Sequence, residues 1–561
     1  MRYAIAASLA ALSLTLNASY ANWGLPGSWH PDEVVDEAMR LVAERTLDPN
    51  FFQYPSLHIY LVALVIVMRV GFMALGNLLS GRSALANIDP GFWELRPDLL
   101  LSARLLTAAM GAASVWLVYR ITREVFDAKT ALLAAVLLTL SAGFIGLSHF
   151  ATVDVPLVFW SLLALALTLR AFDRCRPGWF FGAGIVAGLA ASTKYPGVVV
   201  AVPLLLAAAQ CKPSLPAGQS LWRYRCLMAG LAVSGALVGF FVGTPYALLR
   251  FPRFAADFLQ LNLYQPNYMG AGRIGFLQHW WNVANMCGVF GCAAAIAGVA
   301  YVTGLYLKQR NTAVLLLLAA FAGVYAITGR MSYCPDRYTL PLLPFLMMFG
   351  AKACIDLIRA ASQSRGATRI ARATLAVGIL YTAFYGGRAV FAFRYDDRVL
   401  ASDWLQRHVR PTDSIEITAK YRINVPSGYA HVSLIPYSFS KETFEQMRQS
   451  PTYRWLKARL PWVEFNDYPT VVSDEPREAS LEALLTRRPK YLVLSGRCYS
   501  NFVKNDAFTL RHFPLQHRMY NEILSNATGY KPVADFRRQY GWLRPRLEQV
   551  DAGVTVYQYI E

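Results

Sequence analysis

The chain is poor in charge, and poorest in negative charge. Of its 561 residues 16% are charged, with 35 acidic side chains against 54 basic ones. A soluble protein of this length would carry nearer about a quarter charged residues, so a wholly soluble enzyme is excluded. The eight cysteines fall in no CxxC or Cys/His spacing, which excludes a zinc-binding motif and a disulfide framework; at most a lone Cys334–Cys498 bridge is left open. The last third of the chain has no Gly-rich phosphate loop and no nucleophile elbow, so the chemistry is expected elsewhere. A net charge of +19 could suggest nucleic acid. Many of the Lys and Arg, however, stand in short loops between apolar runs, where membrane topology puts them. Nucleic acid is therefore not a partner.

Long apolar runs are what the chain does have. It is 55% hydrophobic, and the excess lies in segments of roughly 17 to 25 residues, the length of a membrane-crossing helix. The first, Tyr3 to about Tyr20, reads as an uncleaved span, with a cleaved signal peptide as the alternative. Further spans are expected to begin near Leu99, Thr130, Val153, Trp179, Pro196, Cys226, Trp280, Thr312, Tyr338 and Ile370, giving about eleven. Basic clusters occupy every second loop: Arg120, Arg123 and Lys129; Arg170, Arg174 and Arg176; Lys212, Arg223 and Arg225; Lys308 and Arg310; Arg359, Arg365, Arg369 and Arg372. That alternation makes those loops cytoplasmic. The loops His149–Asp154, Thr193–Pro196, Thr244–His279 and Gly329–Arg337 then lie outside. Ser56–Leu79 is apolar enough to span, but a crossing there would invert every later loop. With His58, Arg69, Gly71 and Gly76 in it, the segment is expected to lie along the outer interface.

Past about Tyr395 the long apolar runs stop and charge rises. Ser414–Thr418, His431–Pro436, Tyr491–Ser495 and Val554–Tyr559 read as strands; Asp403–Val409 and Ser480–Arg487 read as helices. Two domains follow: 1–395, a transmembrane catalytic domain whose residues 21–98 form a first external loop with interfacial helices, and 396–561, a soluble extracytoplasmic α+β domain. The fold class is mainly α, polytopic in the membrane, with a C-terminal α+β domain.

Five constellations on the outer side could carry chemistry. His30-Pro31-Asp32-Glu33 sets two carboxylates beside an imidazole, suited to general-base or metal work. It also reads as a helix start, with Pro first and acids in the first turn, running to about Glu44. His149 and Asp154 share a turn in which Thr152 or Asp154 could simply cap the next helix. Lys194, in Thr193-Lys194-Tyr195-Pro196, could pair with phosphate or snorkel to the interface. Arg337-Tyr338 opens a span, and its guanidinium could grip a phosphate or anchor at the interface. The loop 244–279 mixes Tyr246, Tyr264, Tyr268, Trp280 and Trp281 with Arg250, Arg253 and Arg273, which suits a long-chain lipid with a charged head. All five fall on one face, although the orientation was set by unrelated charges.

These phrases resemble the GT-C superfamily of glycosyltransferases, and within it the bacterial branch related to protein O-mannosyltransferases and aminoarabinose transferases (families 39 and 83). The resemblance rests on His30-Pro31-Asp32-Glu33, Arg104 opening the next span, Tyr54-Pro55-Ser56-Leu57, Asp154-Val155-Pro156, Thr193-Lys194-Tyr195-Pro196 and Arg337-Tyr338-Thr339-Leu340-Pro341, in that family's order over roughly residues 1–395. It implies the GT-C fold and transfer of a sugar, with inversion, from a polyprenyl-phosphate donor to an acceptor protein, lipid or glycan. Asp32, Glu33 and Asp154 would be catalytic, with Asp32 the general base. Lys194, Arg337 and Arg273 would hold donor phosphate, and His30, His149 and Tyr338 would be accessory. No cofactor is required by the pattern; a divalent metal stays open, and would fall to Asp32, Glu33 and Asp154. The implied location is a bacterial inner membrane, with active site and C-terminal domain extracytoplasmic. The rival class, a lipid or sugar transporter, would need ionisable groups along a path at mid-membrane depth, and few are present.

Overall fold

The computed structural model describes residues 2–25, 29–83, 97–213, 216, 219–264, 274–331, 334–418, 423, 431–434, 449–463, 480–500, 502–505, 509–510, 513–538, 541–547 and 549–560. In chain order the helices are α1 (Arg2–Ala18), α2 (Val35–Ala43), α3 (Leu57–Leu79), α4 (Pro97–Val125), α5 (Ala128–Thr139), α6 (Ala142–Ser148), α7 (Asp154–Arg174), α8 (Pro177–Ala191), α9 (Ala201–Gln210) and α10 (Leu221–Gly243). They continue with α11 (Tyr246–Leu249), α12 (Phe251–Tyr264), α13 (Gly275–Gln309), α14 (Thr312–Gly329), α15 (Asp336–Thr339), α16 (Leu343–Ala360), α17 (Arg365–Arg394) and α18 (Asp397–His408). Among the described residues eight helices are long and apolar enough to cross a membrane. The α5–α6 pair, bent by 59°, makes a ninth, and α1, α8 and the Tyr195–Gln210 segment are shorter apolar helices. The run expected from Thr130 is thus two helices. At the break Ser141 donates its hydroxyl to the Met286 carbonyl at 3.0 Å.

The basic clusters gather at one end of the bundle. There Arg170 pairs with Glu124 at 3.8 Å and Arg359 with Asp127 at 3.0 Å, and Arg225 donates to the Cys211 carbonyl. The first turns of α4 and α7 and the last turns of α8 and α10 meet at the other end. Residue size sets one of these contacts. Gly184 and Gly188 on α8 face Gly235 and Gly239 on α10, and a Cβ at any of the four would come within 2.0–2.3 Å of a carbonyl oxygen of the partner helix. Small residues four apart let two backbones touch, the packing available where lipid supplies no hydrophobic drive.

Helix α3 has the length and hydropathy of a span. Both of its anchors nevertheless lie at the end away from the basic clusters. The Leu57 amide donates to Ser192 O beyond α8, and the Ser56 amide to Thr244 Oγ1 beyond α10. Twelve residues on, Arg69 stands 3.7 Å from Asp98 in the first turn of α4. Ile59, Val62 and Ile66 pack with Val35, Met39 and Leu99 in one small core. The first turns of α3 therefore run across the bundle's end.

The C-terminal residues build a five-stranded sheet in the order β2-β1-β3-β5-β4, with β1 Ile415–Thr418, β2 His431–Leu434, β3 Tyr491–Ser495, β4 Tyr530–Asp535 and β5 Val554–Tyr559. β1 runs parallel to β2 and β3; β5 is antiparallel to β3 and β4. Side chains alternate along a strand. Tyr491 and Val493 therefore join the core with Ala401 and Leu405 of α18, while Leu492 and Leu494 join the opposite core with Tyr520 and Ile523. The helix expected from Asp403 begins earlier, because Asp396 caps it by accepting the Arg398 amide at 2.8 Å. β4 was not expected from sequence. Cys334 and Cys498 are both free, so no bridge joins them.

Candidate active site

The His30–Glu33 segment is a turn, and α2 begins only at Val35, so Asp36 and Glu37 occupy its first turn. The expected helix start at Pro31 is corrected for a tertiary reason. The Val34 amide donates to Ala151 O at 3.1 Å, and the Ala151 amide donates to Glu33 Oε1 at 3.0 Å. These two bonds tie the segment to the turn before α7. His30 is buried; its Nδ1 accepts the Asp32 amide at 3.2 Å, and its ring lies 4.3 Å from that of Phe150. The imidazole thus shapes the turn that presents Asp32.

The two adjacent carboxylates go different ways. Glu33 meets Arg104 of α4 in a two-pronged pair at 2.7 and 2.9 Å, with both side chains 1% exposed. Arg104 spends its remaining reach on the carbonyls of Ala21 and Trp23. Burial would push the Glu33 carboxyl up, but the Arg104 guanidinium holds it below its ordinary value. Asp32 remains 28% exposed and pairs with Arg337 of α15. Burial pushes it up, and Arg337, His30 and Lys194 together bring it below the usual carboxylate range.

Asp154 opens α7, but it does not cap the helix, and Thr152 does not either: the cap position is Val153, with no side-chain cap bond. Instead Asp154 accepts from Lys194 Nζ at 2.6 Å, with the two side chains 5% and 13% exposed. Lys194 is therefore paired rather than snorkelling. Its ammonium also stands 4.9 Å from the centre of the Tyr338 ring, and the Arg337 guanidinium 5.9 Å from the same ring. Two acids, two cations and one aromatic face, drawn from four separate stretches of chain, form a single ionic layer that is partly exposed at Asp32.

Other expected residues take different places. His149 is buried, with its ring nitrogens on the carbonyls of Ile145 and Ser19 at 2.7 and 2.6 Å and its ring stacked 3.9 Å from Phe393. It is a packing group between α1, α6 and α17. Arg250 pairs with Asp48 at 2.8 Å and Arg253 with Asp257 at 3.4 Å. Arg273 and Tyr268 lie outside the described residues. In the structure Asp32, Glu33 and Asp154 pair with Arg337, Arg104 and Lys194 in turn. No group of three or more His, Cys, Asp and Glu side chains able to hold a metal occurs among the described residues.

Two residues at the layer were not singled out from sequence. Tyr54 is close enough to Asp32, Arg337, Asp154 and Tyr338 to feel all four, and burial, then Asp32, pushes its hydroxyl well up. Glu37 has a buried Oε2 with no hydrogen-bond partner among the described residues, and burial raises its carboxyl. Tyr54 begins one of the quoted motifs, a signal that could have found it. Glu37 could have been found only from the true start of α2.

Residues 90–238 match the family model described as dolichyl-phosphate-mannose-protein mannosyltransferase. Comparison with curated protein sequences finds no match. In structure the chain is similar to the apo oligosaccharyltransferase of Archaeoglobus fulgidus, at 14% identity over 90% of this chain and 71% of that one, TM-score 0.50. It is equally similar to the oligosaccharyltransferase AglB of Archaeoglobus fulgidus in complex with an inhibitory peptide and a dolichol-phosphate, at 14% identity, 90% and 71% coverage and TM-score 0.50. ArnT from Cupriavidus metallidurans bound to undecaprenyl phosphate is 15% identical, with 100% of this chain and 98% of that one covered and a TM-score of 0.48. The oligosaccharyltransferase likeness shows a shared fold. The family match covers residues 90–238, about a quarter of the chain.

Proposed function

We propose that this GT-C chain transfers a sugar from a polyprenyl-phosphate donor to an acceptor hydroxyl or amine at the membrane surface opposite the basic clusters, with Asp32 as general base. The observation that carries the reading is the paired layer Asp32–Arg337 and Asp154–Lys194 around Tyr338. It offers, within one site, a carboxylate that is ionised at neutral pH and two cations for a phosphate. The family match over 90–238 and the dolichol-phosphate seen in the archaeal complex support the choice of donor. Positive loops stay in the cytoplasm, which supports an extracytoplasmic site and, for a bacterial chain, the inner membrane.

The acceptor's O–H or N–H attacks the anomeric carbon as its proton passes to Asp32. The bond from that carbon to the phosphate oxygen breaks on the opposite face, so configuration inverts and the electron pair leaves with polyprenyl phosphate. Lys194 and Arg337 meet the charge that grows on the leaving oxygen. In the resting layer Arg337 holds Asp32 at low basicity. A donor phosphate that takes Arg337 for itself relaxes that hold, and Asp32 becomes a better proton acceptor when the substrate is in place. Asp154 orients Lys194. Glu33, held by Arg104 and by the Ala151 amide, acts by positioning the turn.

The test is turnover by the purified chain in nanodiscs, offered a panel of radiolabelled polyprenyl-phosphate sugars with membrane extract as acceptor. Release of polyprenyl phosphate with label on an acceptor, lost in Asp32→Asn, is the expected result. Turnover retained in Asp32→Asn would remove Asp32 as the base. Saturable donor binding without turnover, alike in both proteins, would overturn the transferase reading in favour of transport.

A further inference from the structure

Arg337 belongs to α15, a single turn of four residues between Pro335 and the 3-10 turn Leu340–Leu342. One turn has no helical stability of its own, so the guanidinium is only as well placed as the contacts that hold its backbone. Those contacts come from one side of α13. Its His279 Nδ1 lies 2.9 Å from Thr339 Oγ1. Asn282 Nδ2 donates to the Cys334 carbonyl at 3.0 Å and to Thr339 Oγ1 at 2.9 Å. Asn285 Nδ2 donates to Asp336 Oδ2 at 2.8 Å. The spacing of three residues keeps His279, Asn282 and Asn285 on neighbouring positions of one face, and they grip the 334–339 segment on both sides of Arg337.

The last rung is shared with the other end of the chain. Asn285 also accepts the Arg546 amide at 2.9 Å and donates to the Arg546 carbonyl at 2.7 Å. One side-chain amide thus closes a reciprocal pair with the backbone of the loop between β4 and β5. A second contact lies nearby. α13 breaks at Gly288, whose φ is +69°. The Tyr381 hydroxyl of α17 sits at the break, accepts the Val289 amide at 3.2 Å and donates to the Trp542 carbonyl at 2.7 Å. Leu547 and Val550 enter the core of the bundle, and Leu547 packs so close to Gly146 that a Cβ there would lie 3.0 Å from it. The loop is therefore seated among α6, α13 and α17, with its backbone hydrogen-bonded to the rung that holds Asp336.

We propose that Asn285 is a positioning residue for Arg337, and that the loop 541–547 of the C-terminal sheet, through Asn285, sets how tightly the site holds a polyprenyl phosphate. The inference rests on the reading of Arg337 as a phosphate ligand. It makes the C-terminal region part of the donor site, through a contact remote in sequence from every motif.

The probe is undecaprenyl phosphate, and the readout is its dissociation constant for the full chain in nanodiscs. Wild type is compared with Asn285→Ala, Arg337→Ala, the double variant, and Arg546→Pro in both backgrounds. Arg546→Pro deletes the amide that Asn285 accepts and leaves the Asn285 side chain intact. Asn285→Ala should weaken binding about 10-fold, the scale of one or two lost hydrogen bonds, and Arg546→Pro a few-fold by the same scale. Both losses should shrink below about twofold when Arg337 is already Ala, because coupled residues do not add. Equal losses in the two backgrounds would overturn the inference, as would unchanged affinity in both Asn285→Ala and Arg546→Pro. If Asn285→Ala fails to fold, Arg546→Pro decides by the same comparison. Wild-type affinity in Arg337→Ala would instead overturn the phosphate reading itself, an outcome distinct from the first two.

Discussion

Asp32 and Glu33 are neighbours in the chain and members of two different ionic layers. The lower layer, Glu33 with Arg104, is dry: both side chains are 1% exposed, and each is also bonded to backbone. The upper layer, Asp32 with Arg337 and Asp154 with Lys194, is open only at Asp32, which is 28% exposed. A dry pair that loses one partner leaves a buried charge uncompensated, so it serves as a fixed anchor. A pair that keeps one carboxylate partly open to solvent, as Asp32 is at 28% exposure, leaves room for a substrate to take over its partner. Adjacent carboxylates therefore divide into one locked in a dry pair and one left partly exposed, the carboxylate for which the base role is proposed.

The sharpest way to break this contrast is to neutralise each acid in turn. Asp32→Asn should lower kcat by roughly 10²- to 10⁴-fold, the usual worth of a general base, while thermal unfolding in detergent stays near wild type. Glu33→Ala should do the reverse in kind. It should cost about 3–5 kcal/mol of stability by stranding Arg104, read as a lower unfolding midpoint or lost expression. If Glu33→Ala folded normally and merely lost turnover, the anchor reading would fall.

Within the upper layer, Arg337→Ala should weaken polyprenyl-phosphate binding by about 10- to 100-fold, as expected for hydrogen bonds to a charged group. Titration sharpens the comparison further. Asp32 is held below its ordinary 3.8. Its ion pair thus contributes stability above that pH and loses it as pH falls through the lowered value. In the free enzyme the acid limb of kcat/KM from Asp32 should lie below pH 3.8. In kcat, where donor phosphate has taken Arg337, the limb should move to higher pH. Coincident limbs in the two profiles would argue that the phosphate does not displace Asp32 from Arg337. The smallest effect is expected at Arg250, which is half-exposed and paired with Asp48. Arg250→Ala should change donor affinity by less than about twofold, as for other exposed pairs.

Much of the site was legible without coordinates because short motifs carried it. His30-Pro31-Asp32-Glu33, Asp154, Lys194 and Arg337-Tyr338 were all named from their residue types and their place between apolar runs, and the structure brings Asp32, Asp154, Lys194, Arg337 and Tyr338 together. His149 and Arg250 were equally eligible by type, yet one packs against Phe393 and the other pairs with Asp48. Nothing local distinguishes a histidine that will face water from one that will meet two carbonyls.

The membrane character of the chain, the alternation of its loops and the strands Tyr491–Ser495 and Val554–Tyr559 follow from the sequence alone. Apolar run length, Lys/Arg placement and side-chain period are local quantities, and bilayer thickness and strand pleat read them directly. The division of labour between Asp32 and Glu33, the late start of α2 and the seating of Arg546 on Asn285 were decided only by tertiary structure. Each depends on which cation or amide, tens to hundreds of residues away, arrives within about 3 Å, the reach of a hydrogen bond, and that choice exists only once the bundle has closed.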